Sequence, residues 1–173
     1  MYGVSVYDRS VRRKIEHRNL AGGGVGVNLL QSKGISLVSS VGVLYEVTDF
    51  GDGKVDSPML EDGSSTRDIR RTGRWSVRIY GRYKIAGGKL GLIHDLIVVP
   101  SLRDPYDDYR VLFYGAIDAP IGKGFSFRVQ ADATREGLIV AGTKQDDLAV
   151  TFGVSYRNEW SSKKPEPAEP KAP

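Results

Sequence analysis

Between Arg74 and Ile85 the chain alternates without a break. Trp75, Val77, Ile79, Gly81, Tyr83 and Ile85 take turns with Arg74, Ser76, Arg78, Tyr80, Arg82 and Lys84. Successive side chains of a strand point to opposite faces, so a period of two commits this segment to a β-strand with one apolar and one charged face. An amphipathic helix would instead repeat its apolar residues at intervals of three and four. Four more stripes follow the same rule. Ile35, Leu37, Ser39, Val41, Val43, Tyr45 and Val47 form one, and Tyr109, Val111, Phe113, Gly115, Ile117 and Ala119 another. Phe125, Phe127, Val129, Ala131 and Ala133 form the next, and Leu148, Val150, Phe152, Val154 and Tyr156 the last.

Residues 14–30 and 90–102 are expected as two less regular strands, the first holding Gly22, Gly23, Gly24 and Gly26. Glycines inside a strand allow a sharp bend or make room for a large neighbour. They are not a dinucleotide fingerprint, since the spacing fails and no helix follows. Residues 2–8 complete a set of about eight strands, although they fall short of the roughly nine to eleven residues with which a tilted strand crosses a bilayer. The first strand is therefore expected to be cut, which leaves open a larger barrel.

The connections alternate in length. Residues 31–34, 86–88 and 120–124 are expected as tight turns, and residues 51–71, 103–107 and 137–146 as the longer loops between them. Short turns on one side and long loops on the other are the habit of outer-membrane barrels. The expected fold is an all-β, antiparallel, up-and-down transmembrane β-barrel. A single barrel domain is expected over residues 1–160, followed over residues 161–173 by a disordered tail rich in Pro, Lys and Glu.

Composition narrows the chemistry. The chain has no cysteine, which excludes disulfides, thiolate metal sites and cysteine nucleophiles. Its net charge of +4 is spread along the chain with no basic stripe, so nucleic acid is not an expected partner. No long apolar run is present, so a transmembrane helix is not expected. The opening residues lack a basic segment followed by an apolar one. Export therefore requires a leader outside this sequence, and a cytoplasmic soluble protein is the rival.

His94, Asp95 and Ser101 form the one local grouping of the hydrolase type, but His94 and Asp95 point to opposite faces and Ser101 lies about 23 Å along the strand. No catalytic residue, cofactor or metal site is expected. The pairs Asp107, Asp108 and Asp146, Asp147 carry oxygens suited to hard cations, yet each sits beside Arg110 or Lys144 at a loop end and is expected to be solvated charge.

Three stretches resemble the bacterial family of salt-induced outer-membrane proteins, a β-barrel domain of unknown function. They are Arg18-Asn19-Leu20-Ala21-Gly22-Gly23-Gly24-Val25-Gly26, Ser40-Val41-Gly42-Val43-Leu44-Tyr45-Glu46, and Pro100-Ser101-Leu102-Arg103-Asp104 leading to Asp108-Tyr109-Arg110. The closing stripe from Leu148 to Tyr156, with Gly142-Thr143-Lys144 ahead of it, is similar to that family's final strand. The resemblance covers nearly all of residues 7–160 and corresponds to the C-terminal portion of longer members. It implies a non-enzymatic role in envelope integrity or in the response to salt and osmotic stress. It also implies a bacterial outer-membrane location with the C-terminal tail in the periplasm. Outer-membrane lipid, lipopolysaccharide and the barrel-assembly machinery are the partners implied; the oligomeric state is left open.

On this reading Glu46, Arg74, Arg78, Arg82, Arg110, Asp118, Arg128, Asp132 and Glu136 face the lumen and pair there, either as a plug or along a narrow pore. Trp75, Tyr83, Phe113, Phe125, Phe127, Phe152, Tyr156 and Trp160 face lipid or its interfaces. The alternative is a water-soluble barrel that binds a small ligand, with the apolar stripes lining its cavity and the arginines in water.

Overall fold

A computed structural model of the protein describes residues 1–50, 55–56, 69–122, 124–140 and 142–156. Ten strands follow one another: β1 (Tyr2–Ser10), β2 (Ile15–Gln31), β3 (Ile35–Asp49), β4 (Val55–Asp56), β5 (Ile69–Ile85), β6 (Leu90–Val98), β7 (Arg110–Gly122), β8 (Phe125–Glu136), β9 (Ile139–Val140) and β10 (Asp146–Tyr156). The only helical turn among the described residues, at Ala86–Gly88, reverses the chain between β5 and β6 with Ala86 and both glycines at positive φ. Trp160 and the expected tail lie outside the described residues, as does most of the expected loop at 51–71.

Eight strands form one antiparallel meander in the order β1-β2-β3-β5-β6-β7-β8-β10, each paired with the next of the eight along the chain. The hairpins connect at two ends. At the turn end lie the connections after β2, β5 and β7; at the loop end lie those after β3, β6 and β8, together with the short turn at 11–14. At the loop end β4 pairs with β9, which ties two of these connections together.

The strands are tilted. One row of paired residues runs Val25, Val41, Val77, Val98, Val111, Arg135, Asp146, starting well inside β2 and ending on the first residue of β10. Such stagger curls a sheet. The curl can be measured by a contact, since Nη1 of Arg18 on β2 lies 3.0 Å from Oε1 of Glu136 on β8. Those strands are five places apart, roughly 24 Å on a flat sheet, more than the two side chains can span together. The sheet is therefore a half-barrel with Arg18 and Glu136 on its concave face.

Two expectations change in detail. The sheet is curled without being closed by hydrogen bonds: β1 pairs with β2 and β10 with β8, and neither has a second ladder among the described residues. The strand expected over residues 90–102 stops at Val98, because Val99 and Ser101 turn to pair with Arg110 and Asp108 across the loop. The glycines of β2 and β3 allow close backbone approach. A Cβ at Gly22, Gly24 or Gly42 would collide with the backbone of the adjoining strand, so only glycine permits β2 and β3 to approach this closely.

Candidate functional site: a buried charge network and an uncharged outer face

Along the concave face near the loop end the inward positions carry charge. Arg18, Glu46, Arg74, Asp108, Arg110 and Glu136 come from β2, β3, β5, β7, β8 and the β6–β7 connection, and all six are buried. Three are cations and three anions, so the buried set is neutral. Arg74 donates to Asp108 Oδ1 at 2.8 Å and to Glu46 Oε1 at 3.0 Å. Arg110 bridges Glu46 and Glu136, at 3.1 Å to each. Arg18 closes the circuit on Glu136 with two bonds of 3.0 and 3.1 Å, and its Nε stands 4.0 Å from Glu46.

Isolated burial of any of these ions would cost several kcal/mol, and only multiple well-aligned partners offset it. Each carboxylate here faces at least two guanidinium groups. The fit is incomplete at two atoms: Nε of Arg18 and Nε of Arg74 have no aligned acceptor, although the latter is 3.0 Å from Glu46 Oε2. Thr48 adds a hydroxyl donor to Glu46 at 2.9 Å. Arg13 and Arg70, less deeply set, reach Glu136 at 2.6 Å and Asp108 at 2.8 Å.

Apolar clusters bound the network on both sides. Ile15, Phe50, Leu138 and Val140 close it toward the loop end. Leu20, Leu44 and Val99, with Val4, Ile97 and Leu112 against them, lie beneath. Along β3 the order is visible in sequence, where inward Leu44, Glu46 and Thr48 lead to Phe50. The space left among the charges is about 10 Å³, room for about one water molecule.

Of the nine charges expected in the lumen, the structure brings Glu46, Arg74, Arg110 and Glu136 into this one network. The others lie on the same face in separate contacts. Arg128 forks onto Asp118 at 2.7 and 2.8 Å, Asp132 accepts from Gln130 at 2.8 Å, and Arg82 donates to Tyr80 Oη at 3.0 Å. Arg78 pairs with Asp95 at 2.6 and 2.8 Å, closer to solvent. Asp108 corrects an expectation: it is buried between Arg70 and Arg74 instead of solvated. Arg18, Arg13, Arg70 and Asp108 were not anticipated. Arg70 and Asp108 continue the inward parity of Arg74 and Arg110 by one or two steps, and that was the available signal.

The grouping of His94, Asp95 and Ser101 is not assembled. His94 stacks on Tyr83 on the outer face, with Nε2 2.9 Å from its hydroxyl, and Gly81 is the position that makes room for both rings. Asp95 faces inward to Arg78. Ser101 is buried, and its Oγ accepts from the backbone N–H of Arg103 and Asp104.

The convex face is the other half of the pattern. Trp75 (47% exposed), Phe113, Phe125, Phe127, Phe152 (67%) and Tyr156 stand out from it, with Val25, Val43, Ile79, Ile117 and Val150 among them. Tyr83 is half-buried against His94 on the same face. Among the described residues, the outward positions of the eight strands hold no Asp, Glu, Lys or Arg from the turn end up to the last residues before the loop end. There Arg9, Glu16, Asp49, Arg71, Arg135 and Asp146 appear. His94 is the one imidazole inside the uncharged zone.

Residues 1–157 match the family described as "Protein of unknown function, DUF481". No curated protein and no solved structure matches the chain.

Proposed function

We propose that this chain, which belongs to the DUF481 family of proteins of unknown function, forms the wall of a transmembrane β-barrel in a bacterial outer membrane, with a structural rather than enzymatic role in envelope integrity under salt or osmotic stress. The observation that carries this reading is the convex face, apolar on all eight strands and, among the described residues, free of Asp, Glu, Lys and Arg from the turn end up to the last residues before the loop end. A protein in water rarely exposes apolar surface on this scale, whereas a bilayer requires it. No described helix is long and apolar enough to cross a membrane, so the crossing falls to the strands. Ranked against this, a soluble ligand-binding barrel needs its apolar stripes inside, and here the concave face carries the charges.

The buried network favours a sealed barrel over a narrow pore. Its members link β2 to β8 across the interior and leave space for about one water, which is no path for hydrated ions. In a bilayer the free edges of β1 and β10 also need partners, because unpaired backbone groups in hydrocarbon cost several kcal/mol each. Pairing with each other or with further strands would satisfy them. The role in salt or osmotic stress rests on the family resemblance alone.

The test is fractionation of the native gene product, followed by gel mobility of the membrane fraction with and without boiling. Recovery in the outer membrane with a shift on boiling is expected. Recovery in the soluble fraction would overturn the reading.

A further inference from the structure

We infer that the two free edges of the sheet are each other's partners: β1 pairs antiparallel with β10 of the same chain, Ser10 opposite Asp147, and closes a ring of eight strands. The inference names the partner that the proposed function leaves open at these edges, and it rests on the geometry of the sheet rather than on the membrane reading. β1 runs toward the loop end and β10 away from it, so the two edges meet antiparallel. At the loop end the seam is already bridged. From the turn between β1 and β2, Arg12 lies 2.6 Å from Asp147 Oδ1 and Arg13 lies 3.7 Å from Asp147 Oδ2. Arg13 also reaches past β10 to Glu136 on β8, at 2.6 Å.

Curvature sets the number of strands. In a ring of eight, β2 and β8 are three places apart across the seam, roughly 15 Å between backbones, which an arginine and a glutamate bridge with one hydrogen bond. A ring of ten would set them on opposite walls roughly 20 Å apart, and the sixteen strands of two copies would set them roughly 27 Å apart. The 3.0 Å bond from Arg18 to Glu136 therefore leaves no room for a further pair of strands between β1 and β10.

Parity and charge set the register. Val4, Val6, Asp8 and Ser10 share the concave side of β1, and Asp147, Ala149, Thr151 and Gly153 share that of β10. Only alternate registers keep both sets inside. With Ser10 opposite Asp147, Asp8 meets Ala149, Val6 meets Thr151 and Val4 meets Gly153, and β1 is paired along its length. A slip of two residues one way opposes the carboxylates of Asp8 and Asp147, and like charges directly opposite destabilise a ladder. A slip the other way sets Asp147 against Arg12, which lies in the turn. The ring then closes on itself. The row that meets β1 at Met1, one step before the pair of Tyr2 and Gly24, ends at Asp146, which stands opposite Val11. A return from residue 1 to residue 11 tilts eight strands by about 40°, inside the roughly 35–45° of outer-membrane barrels.

The chain has no cysteine, so an introduced pair reports the seam without background. Val6 and Thr151 are both exposed while the edges are apart. In the full chain refolded in detergent, Val6→Cys with Thr151→Cys is expected to oxidise to a bond within one chain, read as a reductant-sensitive shift on a denaturing gel. The bond should form at least about tenfold faster than in the offset pairs Val6→Cys with Ala149→Cys and Val6→Cys with Gly153→Cys. Mobility before boiling reports whether each variant has folded. Val4→Cys with Gly153→Cys repeats the test where one has not, since a Cβ at Gly153 meets open space. A bond between two chains, at twice the mass, would give the edge to a second copy and overturn the inference, as would no bond in the folded protein. Faster bonding in an offset pair would overturn the register. Recovery of the protein as a folded soluble species would bring down the membrane reading alone, because the same oxidation still decides the seam.

Discussion

Glu46 is the most connected acid in the concave network, touching Arg74, Arg110 and Arg18 while also accepting from Thr48. Replacing it with Gln leaves the buried set with three cations and two anions. Breaking a buried pair from one side is expensive because the remaining charge stays desolvated. The loss for Glu46→Gln is therefore expected at about 3–5 kcal/mol in denaturant unfolding of the refolded protein. Arg78→Gln should cost about 1 kcal/mol or less in the same measurement, since its pair with Asp95 is open to solvent. Comparable losses for the two would mean that burial does not govern these pairs. Much of this was legible from the parity of Arg74, Arg110 and Glu136, but parity says which face and not which partner. The meeting of Arg18 with Glu136 depends on curl across five strand places, and no local pattern encodes that.

At the scale of the strand, the two faces of β10 make opposite demands. Phe152 is central in the outward apolar run from Leu148 to Tyr156, while its neighbour Thr151 points to the concave side. Phe152→Lys is expected to lower stability in vesicles by about 2–4 kcal/mol, the cost of a cation near the bilayer midplane. Thr151→Lys should change it by about 0.5 kcal/mol, as for an ordinary surface change. Equal effects would show that the outward face does not meet hydrocarbon. The strands themselves were the most readable part of the sequence, because alternation is a local signal and every stripe became a strand. Their ends were less so. Val99 continues the apolar run of β6 in sequence, yet its hydrogen bonds with Arg110, and that of Ser101 to Asp108, draw the segment into the connection.

For the whole molecule, the sequence and the coordinates agree on a sheet whose inside is charged and whose outside is not. The curl that turns this into a half-barrel goes with the tilt of the strands, while Gly22, Gly24 and Gly42 let β2 and β3 lie close where any Cβ would strike the neighbouring strand. Apolar clusters and a neutral set of ions then fill the loop-end interior. The central claim is that the convex face lies in lipid, and Trp75 reports on it directly. It points outward near the loop-end side of the apolar band, where tryptophans favour the membrane interface. The chain has two tryptophans, so Trp160→Phe leaves Trp75 as the only one. In vesicles with brominated acyl chains its fluorescence should be quenched, more by bromines close to the headgroup than by those at the chain end, and aqueous iodide should have little effect. Strong quenching by iodide with none from brominated lipid would contradict the account.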